Sequence, residues 1–131
     1  MPYSIVHKLE TDETIEMFMN ACSVGDFDAI RQLFFHAKVN VGTVQFGSTA
    51  IHYAAYHGQY KVVCWLIERG SHVDENNSKG QTARMVVQKW LTKHVLGTSE
   101  YLITPDLKDA MITTWAVLLR AETGWRPIFY N

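Results

Sequence analysis

The apolar positions of this chain fall into short helical stripes punctuated by glycine. Ile15, Phe18, Met19 and Cys22 recur at i, i+3, i+4 and i+7, one face of a helix. Thr11, Asp12 and Glu13 stand ahead of them, a capping hydroxyl and then acid where the helix dipole favours it. Gly25 closes this stripe, and Asp26 is placed to cap a second one on Ile30, Leu33, Phe34 and Ala37. The densest stretch runs from Gly47 to Asp74. Gly47 and Ser48 predict a turn and Thr49 a cap; Ile51, Ala54 and Ala55 then form one face of a short helix. The small alanines allow another helix to come close. His57-Gly58 breaks that helix, and from Lys61 the pattern resumes with Val62, Val63, Leu66 and Ile67 until Gly70 stops it.

Beyond Gly70 the pattern loosens. Val39 to Phe46 is a β-rich connector, and His72 to Gly80 is a polar, turn-rich one. Gly80 and Thr82 open a third unit, but Leu91 stands where a glycine between two helices belongs, so one helix is expected over 82–95. Gly97, Thr98 and Ser99 break it, and 101–104 is expected to be extended. Pro105 can open a last helix behind Thr104, with Asp106 near its start and Gly124 at its end. Its expected stripe is Leu107, Met111, Trp115 and Leu118, with Ala110 and Leu119 beside it.

The spacing repeats. Gly47 recurs as Gly80 and Thr49 as Thr82, while Gly58, Ala54, Val63 and Leu66 have upstream counterparts in Gly25, Ala21, Ile30 and Leu33. Each pair lies 33 residues apart, and a fixed period of that size marks a repeat architecture. The central string resembles an ankyrin repeat. The family's T-P-L-H-x-A-A-x-x-G is matched by Thr49, Ile51, His52, Ala54, Ala55 and Gly58, with Ala50 replacing the proline. Its V-V-x-L-L-L-x-x-G is matched by Val62, Val63, Leu66, Ile67 and Gly70, with Trp65 in place of a leucine. The resemblance implies an all-α fold: a short solenoid of stacked helix-turn-helix units with hairpin-like fingers and a long C-terminal capping helix. Val44 stands where the family commonly has Asp to open a repeat. One domain spans 1–131: a lead-in at 1–11, repeats at 12–39 and 44–76, a partial repeat at 77–96, the capping helix at 104–124 and an aromatic tail at 125–131.

Composition narrows the function. The chain is 47% hydrophobic and 19% charged, which suits a folded domain, and its 12 basic and 13 acidic residues leave a net charge of −1. Nucleic-acid binding is not expected from that balance. No apolar run is long enough to cross a bilayer and no secretory signal is evident, so membrane attachment is not expected. Cys22 and Cys64 both lie in helical patterns and suit free thiols in a reducing compartment, which leaves the sequon Asn76-Asn77-Ser78 without use. A cytoplasmic, intracellular chain is expected; delivery into another organism's cell is compatible with the same residues.

Reactive chemistry is hard to find. There is no HExxH, CxxC, GxGxxG or GxxxxGK[ST] pattern, so no metal site and no cofactor is expected. His52 and His57 are five apart and do not share a helix face. His52 holds the family's T-P-L-H position, where the resemblance implies a hydrogen bond to turn backbone. Asp12, Glu13, Asp26 and Asp28 read as helix-start acids. The chain is therefore expected not to be an enzyme.

What remains is surface. Ankyrin proteins contact partners through finger tips and the outward end of each first helix. Carried over, these positions are Gln45, Phe46 and Ser48, then Tyr56 and His57, then Ser78, Lys79 and Gln81, then Lys89 and Trp90, with Arg69 a further candidate. Phe46, Tyr56 and Trp90 are large aromatics at outward positions, and such residues anchor interfaces; packing under the finger or on the cap is the competing role for Phe46 and Trp90. Tyr53 and Trp65 are read as packing residues. The expected function is a non-catalytic protein–protein interaction module, monomeric when free, that binds another protein as inhibitor, adaptor or effector. The alternatives are self-association through the aromatic tail and N-terminal segment, or an enzyme with a site near His94, Glu100 and Tyr101.

Overall fold

A computed structural model describes residues 11–97 and 103–127. The lead-in over 1–10, the segment 98–102 and the end of the aromatic tail at 128–131 lie outside the described residues, as do Glu100 and Tyr101 of the alternative enzymatic site. Among the described residues, six α-helices and one short hairpin follow in the order α1 (Asp12–Val24), α2 (Phe27–Phe35), β1 (Val44–Gln45), β2 (Ser48–Thr49), α3 (Ala50–Tyr56), α4 (Tyr60–Glu68), α5 (Ala83–Leu91) and α6 (Pro105–Glu122). The last turn of α5 runs on into a π-helical turn at Thr92–Leu96.

Each helix starts and stops for a local reason. Thr11 and Thr14 form a capping box at α1, with the Thr14 amide donating to Thr11 Oγ1 at 3.2 Å and the Thr11 amide to Thr14 Oγ1 at 2.8 Å. Asp26 accepts from the Ala29 amide to cap α2, Thr82 from the Met85 amide to cap α5, and Thr104 from the Leu107 amide to cap α6. Pro105 takes the first position of α6, where its missing N–H costs nothing. Between α1 and α2, Gly25 adopts φ +78°, the left-handed closure that a side chain would resist.

The first helices α1, α3 and α5 stand side by side, with α1 and α5 on either flank of α3. The second helices pack behind them: α2 on α1, α4 on α3 and α6 on α5. Helix α6 also packs on α4. It therefore fills the place of the second helix that the third unit lacks next to α5. Ala21, Ala50, Ala54, Ala55 and Ala83 are all buried where the first helices meet. Small side chains there let the backbones approach, as the Gly47–Asp74 pattern predicted. Phe18, Ile30, Ile51, Leu66, Met111 and Leu118 are the largest fully buried apolar side chains, and they belong to a single continuous core. Gly58 has φ +69°, and a Cβ there would lie 3.0 Å from Met111 Sδ and 3.4 Å from Ala110 Cβ. The loop between α3 and α4 is thus pressed directly against α6.

Two expectations need correction. The first turn lies one residue earlier than Gly47-Ser48: Val44 pairs with Thr49 and Gln45 with Ser48, leaving Phe46 and Gly47 at the tip. Both tip residues have positive φ, +55° and +80°, which is the type I′ geometry that matches strand twist in a two-residue hairpin. Ser48 is consequently strand, not turn, while Thr49 ends the strand and is the N-cap of α3 as expected. On α6 the buried face is Met111, Thr114, Leu118 and Ala121, whereas Leu107 and Leu119 are exposed and Trp115 is half-buried. The docking of α6 on α5 and α4 sets this face, and Thr114 tolerates burial because its hydroxyl donates to the Ala110 carbonyl at 2.7 Å.

The second finger, His72 to Gly80, holds its shape through one side chain instead of a strand pair. Asn77 Oδ1 accepts from the amides of Lys79 and Gln81 at 3.0 and 2.9 Å, and the Asn77 amide donates to the Gln81 carbonyl at 2.8 Å. The two fingers are clasped: the Ser78 amide donates to the Gly47 carbonyl at 2.7 Å. A Cβ at Gly47 would fall 2.5 Å from Ser78 Oγ and 2.6 Å from Ser78 Cβ, while one at Gly80 would meet nothing within 4 Å. Both glycines have positive φ. Gly80→Ala should cost only the left-handed backbone, about 1 kcal/mol, whereas Gly47→Ala should cost ~2 kcal/mol or more because Ser78 must also move. Urea denaturation of the two variants compares them; equal losses would mean that the fingers are not held together.

Candidate functional site

The site is built on the edge of the stack where the fingers and the C-terminal ends of α3 and α5 meet. A groove of about 600 Å³ opens there. Nine of the eleven expected contact residues line it: Phe46, Ser48, Tyr56, His57, Ser78, Lys79, Gln81, Lys89 and Trp90. His52, Tyr53, Asn77, Val86, Lys93 and His94 complete the wall. Lys93 and His94 were legible as the i+4 continuation of Lys89 and Trp90 along a helix. They lie one turn beyond the helix end that the family pattern marks for contact, on the π-helical extension of α5. The π-helical turn that carries them is a feature often found at functional positions.

Gln45 and Arg69 are not brought into the groove. The Gln45 carbonyl accepts from the Tyr53 hydroxyl at 3.3 Å, which ties the hairpin to α3. Arg69, at the C-terminal end of α4, lies over the Trp65 ring at 4.8 Å and pairs with Glu68. Trp65 in turn meets Phe34 edge-on at 5.2 Å, which joins the second helices of the first two units.

The aromatics differ in their settings. Phe46 is 79% exposed at the hairpin tip. A bulky side chain at positive φ is a backbone cost that the clasped fingers must sustain, and such costs gather at functional positions. Tyr56 is 52% exposed, with its ring edge-on to His57 at 5.2 Å. Trp90 is half-buried against the core and leans on the His94 ring at 4.8 Å. The groove therefore offers one projecting aromatic, one open on the floor and one anchored in the wall.

Behind the groove His52 joins the two fingers. The Gln81 carbonyl can only accept, so His52 Nε2, 2.9 Å away, carries the proton. Nδ1 is then the acceptor, taking the Thr49 hydroxyl at 2.8 Å and the Thr49 amide at 3.3 Å. One neutral imidazole thus caps α3 and ties it to the next unit's finger. Burial lowers its pKa below the ordinary histidine value, against the Gln81 and Glu75 carbonyls and the Glu75 charge, which pull the other way. Neither thiol is poised to react: burial raises the pKa of Cys22 to about 12 and also raises that of Cys64.

Comparison with known proteins agrees with this geometry. A family model for ankyrin repeats, in three copies, matches residues 18–113, well over half of the chain. The chain belongs to the ankyrin-repeat family. Ankyrin repeats are in general protein-interaction modules and are not themselves catalytic. The model's three copies agree with three stacked units, the last completed by α6. Among curated proteins, palmitoyltransferase ZDHHC17 from Homo sapiens, from Rattus norvegicus and from Mus musculus is 33% identical over 67 residues, 48% of this chain. The match covers 11% of each relative's length, so the chain is similar to one small part of those proteins. Among the described residues no helix is long and apolar enough to cross a membrane.

The imidazole tie of this ankyrin stack has a measurable signature. His52→Ala should cost about 1–2 kcal/mol, since it breaks the α3 capping box and takes one of its two donors from the Gln81 carbonyl, which keeps the Asn77 amide. Because the folded-state pKa is lowered, the unfolded chain binds more protons once the pH drops below the ordinary histidine range, near ~6.5. Stability should be full at neutral pH and decline as the pH falls toward the folded-state value. Thermal melts between pH 7.5 and 5 should show that decline flattened in the alanine variant, and an unchanged pH dependence would remove His52 as its source.

Proposed function

We propose that this ankyrin-repeat chain is a non-catalytic protein-binding module that engages its partner through the finger and helix groove. The observation that carries the reading is the convergence of Phe46, Tyr56 and Trp90, three large aromatics from three different elements, on one open groove. Aromatics in that setting supply most of the binding energy of protein interfaces, while the surrounding polar residues exclude water. The palmitoyltransferase named among the relatives lends no catalytic role, since only 11% of its length corresponds to this chain. His94, the described member of the alternative enzymatic set, lies tilted against the Trp90 ring as part of the groove wall. A chain of this size can act by covering a partner's surface one to one, as an inhibitor, adaptor or effector, while itself monomeric when free. Its free thiols, Cys22 buried and Cys64 half-buried, suit a reducing, intracellular compartment.

Affinity capture with the wild-type chain, compared with Phe46→Ala, Tyr56→Ala and Trp90→Ala, tests the reading. Each substitution should weaken capture of a specific partner by ~2 kcal/mol or more, with thermal melts of Phe46→Ala and Tyr56→Ala close to wild type because both side chains are exposed. If all three variants capture as wild type does, the groove is not the contact surface.

A further inference from the structure

The charge lining the groove is one-sided. Lys79 of the second finger, Lys89 of α5 and Lys93 of the π-helical turn all face it, and among the described residues no Asp or Glu lines it. All three lysines are exposed. Arg31 pairs with Asp28, Arg69 with Glu68 and Arg84 with Glu122, all away from the groove. This segregation occurs on a chain whose net charge is −1. A low-dielectric trough walled by one sign of charge focuses its field on the occupant.

We infer that the groove, taken as the partner surface proposed above, recognises an acidic polypeptide segment with an apolar anchor. The anchor sits between Tyr56 and Trp90, and the carboxylates face the lysine row. Lys89 and Lys93 are i and i+4, which puts their stems roughly 6 Å apart on one helix side. Side chains two apart on an extended strand are separated by about 6.6 Å, so Asp or Glu at alternate positions matches that row. Lysine also argues for carboxylates over phosphates. Phosphate readers favour the planar fork of arginine, and the groove wall contains none. A nucleic acid would in addition need a basic field beyond the groove, which the overall charge does not supply.

A display library of random twelve-residue peptides, selected on the full chain, tests this. Peptides whose binding is lost in Tyr56→Ala and Trp90→Ala should be enriched in Asp and Glu and depleted in Lys and Arg. Their affinity should fall about tenfold or more in the Lys89→Glu/Lys93→Glu double variant and on raising the salt with the wild type, the second measurement standing if the double variant does not fold. Groove-dependent peptides without an acidic bias would overturn the inference and leave the binding reading intact. A selection with no groove-dependent peptide would overturn both. Tighter binding of a labelled twelve-nucleotide oligothymidylate than of the best peptide would also overturn it, in favour of a nucleic-acid ligand.

Discussion

The structure depends on how closely three short helices can lie side by side. Helix α3 has only seven residues, too few to be stable alone. It persists because Ala50, Ile51, Ala54 and Ala55 are almost fully enclosed between α1 and α5. Larger side chains at the alanine positions would hold the helices apart and open voids along the whole row. Everything on the groove side inherits its position from this spacing. Tyr56 is the last residue of α3, Lys89 and Trp90 close α5, and their separation is the width of one helix contact.

Polar groups then set the register that apolar packing leaves free. Sliding one helix along its neighbour would cost little in buried area, but it would break the bond from His52 to the Gln81 carbonyl and the clasp between Ser78 and Gly47. Both bonds connect one unit to the next, and both lie directly behind the groove. The same contacts therefore align the stack and hold the hairpin tip with Phe46 in its left-handed conformation. A binding loop supported in this way gives up little conformational freedom when a partner arrives.

Much of this was legible in the residues. Helix starts at Thr11, Asp26, Thr49, Thr82 and Thr104 could be read because each cap is a local bond between neighbours in sequence. The spacing of glycines gave the period, and the absence of one at Leu91 announced a single helix in the third unit. The site was legible in outline, through outward aromatics at corresponding positions. What escaped was non-local. The burial of Thr114 depends on α6 docking behind α5, and nothing in its own stripe says so. The exclusion of Arg69 from the groove follows from which side of the stack α4 occupies. The lysine row of the wall becomes visible only when a finger, a helix end and a π-helical turn are seen together.

Helix α6 completes the third unit from a distance, entering the slot beside α5 and α4 from residue 105 onward. During synthesis the first two units can pair as they leave the ribosome, because each has its second helix immediately downstream. The third cannot. Until Met111 and Leu118 emerge, the back of α5 and the side of α4 stay wet and open to any passing hydrophobic segment. A product cut short before α6 would keep that apolar surface exposed and prone to association.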